Sequence, residues 1–221
     1  MKKQVSAIIP AYNESERIGK TLSALGKTKI LKEIVVVDDG SKDNTEEVVR
    51  DMMKKFPRIK YFRNAVNKGK AYSMDKGVRA TSSDIIFFSD ADLQGLTPKI
   101  IESIINPVMS NKYDMFIGVR NNIMQKGFTP FALNSGERAL KREIWSKLPK
   151  YYKHRYRVEV GLNYFVKWYG KGYSYDYFSH YQILKERKYG ILRGTFFRWW
   201  MNFDVSMAFL RMNLVDRFIL K

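Results

Sequence analysis

Three short apolar runs each end in polar, turn-forming residues. Val5-Ser6-Ala7-Ile8-Ile9 leads into Pro10-Ala11-Tyr12-Asn13-Glu14-Ser15, Ile34-Val35-Val36-Val37 into Asp38-Asp39-Gly40-Ser41, and Ile85-Ile86-Phe87-Phe88 into Ser89-Asp90-Ala91-Asp92-Leu93. Runs of this length, rich in β-branched side chains, read as strands buried on both faces of a mostly parallel sheet. Pro10 is expected to stop the first of them. Helix patterns lie between. Ile18, Leu22 and Leu25 fall at i, i+4 and i+7, and Val48, Val49, Met52 and Met53 follow Asn44-Thr45-Glu46-Glu47. Tyr72 to Ala80 reads as another helix after the turn signal Asn67-Lys68-Gly69, and Met115-Phe116-Ile117-Gly118-Val119 as another strand closed by Arg120. Strand and helix in alternation predict an α/β fold: a doubly wound, mostly parallel sheet with helices on both faces.

In open α/β sheets the ligand crevice lies beyond the carboxyl ends of the strands. Polar residues gather at that end of all three runs. Asp90 and Asp92, one residue apart, can share a hard divalent cation whose remaining ligands come from phosphates. The plain alternative is a polar strand end with a helix cap, either Asp92 before Leu93 or Thr97 before Pro98. No GxGxxG or GxxxxGK[ST] follows any of these strands, so neither the dinucleotide fingerprint nor the P-loop accounts for the site.

Pro10-Ala11-Tyr12-Asn13-Glu14, Val37-Asp38-Asp39-Gly40-Ser41, Asn67-Lys68-Gly69-Lys70 and Asp90-Ala91-Asp92-Leu93-Gln94 resemble, in order and spacing, the family 2 glycosyltransferases of the GT-A fold. Within that family they look most like the dolichyl- and polyprenyl-phosphate sugar synthases. The resemblance covers residues 4 to 120 and continues weakly through Ser135-Gly136-Glu137-Arg138-Ala139-Leu140, similar to a Ser-Gly-Phe-Arg-Ala-Leu block of the family. It implies a metal-dependent, inverting transfer of a sugar from a nucleotide-diphospho-sugar, carried on UDP or GDP.

Residue by residue, the resemblance assigns Asp90 and Asp92, with Ala91 between them, to Mg²⁺ or Mn²⁺ and the donor diphosphate. It places Asp39, and Asp38 beside it, near the nucleobase or ribose, where a carboxylate accepts a donor's hydrogen. Pro10, Tyr12 and Glu14 match the loop that cups the nucleoside. The plain readings are partial burial beside the sheet for Tyr12 and a favourable first-turn position on the helix dipole for Glu14. Lys70 and Arg120 stand where a cation would complement the leaving diphosphate, although any one of 40 Lys and Arg is more simply a solvated charge. Lys188 sits where relatives carry a phosphate-facing basic residue. Glu159, or else Glu137, is a candidate base for a hydroxyl acceptor, with a buried salt bridge to an arginine as the plain alternative for Glu159. The acid that relatives often carry just before Ser135-Gly136 is missing, since Phe131 to Asn134 hold no carboxylate.

Composition narrows the rest. The 221 residues suit one domain: a nucleotide-sugar half over 1–120, an acceptor half over 121–194 and an amphipathic helical tail over 195–221, with a soft boundary at Asn121 to Pro130. Zero cysteines exclude disulfides and a thiol nucleophile, and two histidines exclude a multi-His zinc site. Met1-Lys2-Lys3-Gln4 passes straight into a strand pattern, so no signal peptide is expected. No apolar run approaches the ~18 residues of a membrane span. Residues 1–110 carry 19 basic and 14 acidic side chains, whereas 111–221 carry 21 and 8, together with all four Trp. That basic, aromatic second half has no nucleic-acid module and is better matched to an anionic membrane surface.

From Arg193 to Lys221, Phe196, Phe197, Trp199, Trp200, Phe203, Met207, Leu210, Leu214 and Phe218 recur at roughly helical spacing, with Arg198, Asn202, Ser206, Asn213, Arg217 and Lys221 opposite. Asp204 and Arg211 fall on the other side as a candidate pair. Such a helix lies in a bilayer interface, or else packs on the domain or on a partner subunit of a homodimer. The expectation is an enzyme peripheral to the cytoplasmic face of a membrane, acting on a polyprenyl phosphate. A hydroxyl of a glycolipid, wall polymer or polysaccharide is the alternative acceptor, and a non-catalytic basic membrane adaptor the distant one.

Overall fold

The computed structural model describes residues 3–120, 133–182, 199 and 203–216. In chain order the elements are β1 (Val5–Ala11), α1 (Ile18–Lys27), β2 (Glu33–Asp38), α2 (Thr45–Lys55), β3 (Ile59–Arg63), α3 (Lys70–Arg79), β4 (Ile85–Phe88), β5 (Leu93–Gln94), α4 (Pro98–Met109), β6 (Met115–Arg120) and β7 (Arg138–Lys141). They continue with α5 (Arg142–Lys147), a 3-10 turn at Lys150–Tyr152, α6 (Val158–Tyr169), β8 (Tyr173–Phe178) and β9 (Tyr181–Gln182).

Seven strands make one sheet in the order β3-β2-β1-β4-β7-β6-β8, and β5 pairs with β9 in a small ribbon. All pairs in the large sheet are parallel except those of β7, which runs antiparallel between β4 and β6. The chain builds outward from β1 to β3, then crosses back through α3 so that β4 pairs with the other edge of β1. This reversal between β1 and β4 is a topological switch point, where the loops after the two strands diverge and leave a crevice.

The strand runs are buried on both faces, as their composition predicts. Ile8, Val35, Val37, Ile86 and Phe88 face one layer, shared with α3, α5 and α6. Ile9, Ile34, Val36, Ile85 and Phe87 face the other, shared with α1, α2 and α4. Ile18, Leu22 and Leu25 are all fully buried there. Of the two cap readings, Thr97 is the cap: its hydroxyl accepts from the Ile100 amide at 3.3 Å. Pro10 does not stop β1, which continues to Ala11 opposite Asp38. β4 accompanies β1 only as far as Ile8 opposite Phe88, so beyond that point one edge of β1 has no ladder neighbour among the described residues and a residue without an N–H is tolerated.

Residues 203–211 form a helix that continues as a π-helical turn at Met212–Asp216. Asp204 pairs with Arg157 at 2.8 Å, not with Arg211. Seven residues along a helix is about 10 Å of axial rise, beyond the reach of that pair, and the domain offers a nearer partner. Arg211 instead lies 3.9 Å from the centre of the Tyr151 ring, whose other cation neighbour, Arg157, is at 4.5 Å. Asp216 accepts from the Tyr152 hydroxyl, and Ala208 and Met212 enter the core on this side. The segment therefore packs on the domain along its Asp204-Ala208-Met212-Asp216 face. Its Phe203, Met207, Leu210 and Leu214 are exposed. Arg198, Trp200, Asn202, Arg217, Phe218 and Lys221 lie outside the described residues, as does the boundary at 121–130.

Arg138, on β7, is fully buried. Its guanidinium donates to the carbonyls of Ser135 (2.6 Å), Leu133 (3.2 Å) and Glu159 (3.3 Å) and to Asn163 Oδ1 (3.1 Å). It thereby fixes the strand-entry segment to α6. Arg138→Leu strands those carbonyls and is expected to cost about 3 kcal/mol, the scale of buried polar groups left without partners. Denaturant unfolding checks this; a loss below ~1 kcal/mol would mean that the carbonyls find other donors.

Candidate active site

Asp90 leaves the end of β4 between two cations. Lys70 Nζ lies 2.8 Å from its Oδ1 and Arg120 Nη2 lies 2.6 Å from its Oδ2. Each cation has a second carboxylate: Lys70 reaches Glu159 Oε1 at 3.0 Å, and Arg120 forks onto Glu137 through Nε at 2.8 Å and Nη2 at 3.0 Å. Five elements converge here, since the residues come from the start of α3, the ends of β4 and β6, the approach to β7, and α6. Asp92 is buried beside them and adds to the negative field at Arg120. Asp90, Asp92, Glu137 and Glu159 stand against Lys70, Arg120 and Arg138, so the cage carries one surplus negative charge apart from His180.

Burial opposes the charges of Lys70, Asp90, Arg120 and Glu137, and pairing outweighs it there, whereas at Arg138 burial prevails and lowers the guanidinium pKa. Lys70 and Arg120 hold the Asp90 carboxyl below its ordinary range, and Arg120 with the His180 hydrogen bond holds Glu137 well below. The same carboxylates raise Lys70 and Arg120 above theirs. Two glycines make the approach possible. Gly69 takes a φ of +94°, which turns the chain into α3 and presents Lys70. Gly136 lies under Asp90 so closely that an added Cβ would be 2.6 Å from Oδ2.

The aspartates at the end of β2 face inward. Asp39 accepts from the backbone amides of Lys68 (2.9 Å) and Gly69 (2.7 Å) and from Asn64 Nδ2 (2.8 Å), which holds the turn that delivers Lys70. Asp38 is fully buried and accepts from the Ser41 amide at 2.8 Å and the Tyr61 hydroxyl at 2.6 Å. The first loop is stitched to the second. The Asn13 amide donates to Ser41 Oγ, the Lys42 amide to Asn13 Oδ1, and the Glu14 amide to Thr45 Oγ1, at 2.9, 2.8 and 2.8 Å. Tyr12 on this loop and Pro10 near the end of β1 are half-buried. Glu14 precedes α1, whose first turn contains no acid, so the helix-dipole reading fails for it. Ala91 is buried, its carbonyl accepting from Thr21 Oγ1 at 3.1 Å. Lys188 lies outside the described residues.

The crevice thus brings together Lys70, Asp90, Arg120 and Glu159 from distant parts of the sequence, and Glu159 pairs with Lys70 rather than with an arginine. Glu137, the other candidate base, also enters the site, standing where the resembling block has Phe. Two residues carried no signal of this kind. Ser135 Oγ lies 2.8 Å from both Glu137 Oε2 and the Gly118 carbonyl. His180 is fully buried beside β9, its Nε2 3.3 Å from Glu137 Oε2, and among the described residues its Nδ1 has no hydrogen-bond partner. Hard carboxylate oxygens next to an imidazole with an open nitrogen suit Mg²⁺ or Mn²⁺. Among the described residues, however, no three His, Asp or Glu side chains form a ready metal cluster.

The sequence matches the profile described as Glycosyl transferase family 2 over residues 6–208. The chain belongs to glycosyl transferase family 2. As a family 2 chain it is 36% identical over 112 residues to 4,4'-diaponeurosporenoate glycosyltransferase of Staphylococcus haemolyticus, covering 50% of itself and 30% of that protein. It is 37% identical over 122 residues to dolichol-phosphate mannosyltransferase of Pyrococcus furiosus, covering 53% of itself and 33% of the relative. The chain spans about a third of the length of each of these two relatives. Its fold is similar to that of glucosyl-3-phosphoglycerate synthase of Mycobacterium tuberculosis, solved with Mn²⁺, uridine diphosphate and phosphoglyceric acid. That match has a TM-score of 0.77 at 19% identity and covers 95% of this chain and 78% of the other. The GT-A-type fold expected from the motifs is therefore present.

The cage makes stability depend on pH in one direction. A carboxyl whose pKa is lower folded than unfolded stabilises the fold above the unfolded value, and that contribution is lost as pH falls through the folded one. Asp90 and Glu137 both have lowered values, so stability is expected to hold near neutrality and to fall progressively below about pH 4. Glu137→Gln leaves Arg120 short of a buried partner and is expected to cost about 3 kcal/mol at pH 7, while flattening the acid limb. Denaturant midpoints at pH 3, 5 and 7 on both proteins measure it; an unchanged acid limb in the variant would remove Glu137 from the balance.

Proposed function

We propose that this family 2 chain transfers a sugar from a nucleotide-diphospho-sugar to a membrane-associated acceptor, with a polyprenyl phosphate as the acceptor of first choice. The reading rests on one observation above all: the Asp90 cage, with Asp92 and His180 beside it, opens at the switch point between β1 and β4. A Mg²⁺ or Mn²⁺ held by Asp90 and Asp92, with His180 as the adjacent nitrogen donor, would offset charge on the diphosphate as the glycosidic bond breaks. Lys70 and Arg120 supply the cations nearest that bond on the protein side. The stitched loops around Tyr12 and Asn13 form the wall against which the nucleoside rests, and Asp39 acts by fixing the Lys68-Gly69 turn.

In a single displacement the acceptor oxygen bonds to the anomeric carbon while the bond from that carbon to the diphosphate breaks, which inverts the centre. A phosphate acceptor is already anionic and needs no base. The exposed apolar stripe of Phe203, Met207, Leu210 and Leu214, with Trp199 stacked 6.0 Å from Phe203, supports a lipid surface as the place of reaction, as does the net charge of +18. Among the described residues no helix is long and apolar enough to cross a membrane. The named activity of the P. furiosus relative supports the polyprenyl acceptor. A second reading, a hydroxyl acceptor with Glu159 as base, is favoured by the engagement of Arg120 and Lys70 with two carboxylates each, which leaves neither cation waiting for an acceptor phosphate.

Asp92→Asn keeps shape and removes a charge, so folding is expected to survive while transfer falls at least ~10²-fold, the loss typical of a preorganised charge-stabilising group. Radiolabelled UDP- and GDP-sugars with lipid extracts, with and without EDTA, test this. Full activity in EDTA rules out the metal-dependent route, and an acid-stable product in place of a labile glycosyl phosphate favours the hydroxyl acceptor.

The membrane is tested separately. The protein is expected to sediment with anionic phospholipid vesicles, less so as salt shortens the Debye length from ~10 Å at 0.1 M to ~3 Å at 1 M. The double variant Leu210→Glu, Leu214→Glu alters exposed positions only, and is expected to lose sedimentation while keeping its thermal midpoint. Undiminished vesicle binding by that variant would refute the tail helix as the contact.

A further inference from the structure

The cation position beside Asp90 is already filled by the protein itself. Both carboxylate oxygens are taken, Oδ1 by Lys70 Nζ at 2.8 Å and Oδ2 by Arg120 Nη2 at 2.6 Å. Gly136 leaves the space that the carboxylate occupies, since an added Cβ would stand 2.6 Å from Oδ2 and 2.7 Å from Oδ1. A divalent ion approaching Asp90 alone meets two positive groups within hydrogen-bond distance of the atoms it would bind. The two cations differ in how firmly they are held. Arg120 is forked onto Glu137, whose Oε2 also receives Ser135 Oγ at 2.8 Å, and the whole pair is buried. Lys70 has a flexible stem, sits at the start of a helix, and keeps a third of its side chain exposed.

We propose that Lys70 is a placeholder cation, which neutralises Asp90 in the empty site and moves onto phosphate when a metal–nucleotide diphosphate arrives. The inference rests on the nucleotide-sugar reading above and deepens it by giving the site an order of assembly. An ion without a nucleotide must displace Lys70, whose remaining carboxylate partner among the described residues is Glu159, 3.0 Å away. A nucleoside diphosphate brings the negative charge that draws the ammonium off. It also brings the oxygens that complete a coordination sphere for which the described residues hold no ready cluster. Metal and nucleotide then bind as one unit. Because linkage is reciprocal, the factor by which a nucleotide tightens the metal is the factor by which the metal tightens the nucleotide.

The test uses the full chain and needs no turnover. Mn²⁺ binding is measured by electron paramagnetic resonance of the free ion, alone and with saturating UDP or GDP, on wild type, Lys70→Met and Lys70→Arg. Wild type is expected to hold Mn²⁺ at least about tenfold more tightly when the nucleotide is present. Lys70→Met frees Asp90 Oδ1, so its affinity for Mn²⁺ alone is expected to rise severalfold and the coupling to shrink. Lys70→Arg, which keeps the charge, restores weak metal-only binding. Circular dichroism melts confirm that the variants are folded, and the wild-type coupling stands as a test even if one is not. Equal Mn²⁺ affinity of wild type with and without a nucleotide it binds overturns the proposal. So does a Lys70→Met protein whose metal-only affinity is unchanged or weaker. If calorimetry finds that neither UDP nor GDP binds wild type, the donor reading fails instead, and the metal-only comparison of wild type with Lys70→Met still decides the role of Lys70.

Discussion

The mutual neutralisation of Asp90, Lys70 and Arg120 is the interaction on which the rest of the crevice depends. Isolated charges buried at a strand end are expensive, and these are tolerable only because each meets its opposite at hydrogen-bond distance. That requirement explains features that otherwise look unrelated. Gly136 has no side chain because Asp90 occupies the space, Gly69 takes a left-handed turn because Lys70 has to emerge there, and Glu137 is acidic because Arg120 would otherwise have one partner too few. Arg138, two residues beyond Gly136, anchors the strand-entry segment to α6, which carries Glu159.

The sheet supplies the positions at which these groups meet. Reversal of strand order between β1 and β4 opens the carboxyl edge, and insertion of antiparallel β7 between β4 and β6 brings Glu137 beside Arg120. In a wholly parallel sheet the residue before that strand would lie at the opposite edge, far from the crevice. The one reversed strand is thus what allows a residue of the second half to complete a site begun by the first.

Much of this was legible along the chain. Strands β1, β2, β4 and β6 announce themselves as apolar runs because both faces of each are buried, and α1 shows its stripe because only one face is. Asp90, Lys70 and Arg120 could be picked out because each stands at the end of such a run or at a turn. Short or half-exposed pieces gave no such pattern. β7 is four residues, Arg-Ala-Leu-Lys, β8 mixes tyrosines with Asp176 on a partly exposed edge, and β5 and β9 are two residues each. Contacts across the sheet left no periodic trace either. Nothing in the spacing of Asp38 and Asp39 distinguishes a carboxylate facing a ligand from one that ties a turn, and the turn claimed both. The helical spacing of the tail is legible over the described residues 203–216, but which face meets the domain is decided by Arg157, Tyr151 and Tyr152, residues 47 to 64 positions away.

The stitching between the first two loops carries a consequence for modularity. Asn13, Glu14 and Ser15 each bond across to Ser41, Lys42, Asp43 or Thr45, so the segments after β1 and β2 behave as one part with two connections to the sheet. Grafting either loop alone from a homologue would leave amide donors facing strangers. The unit of exchange, in the laboratory or by recombination, is therefore residues 10–15 together with 38–45, and drift in one loop is expected to be matched by drift in the other.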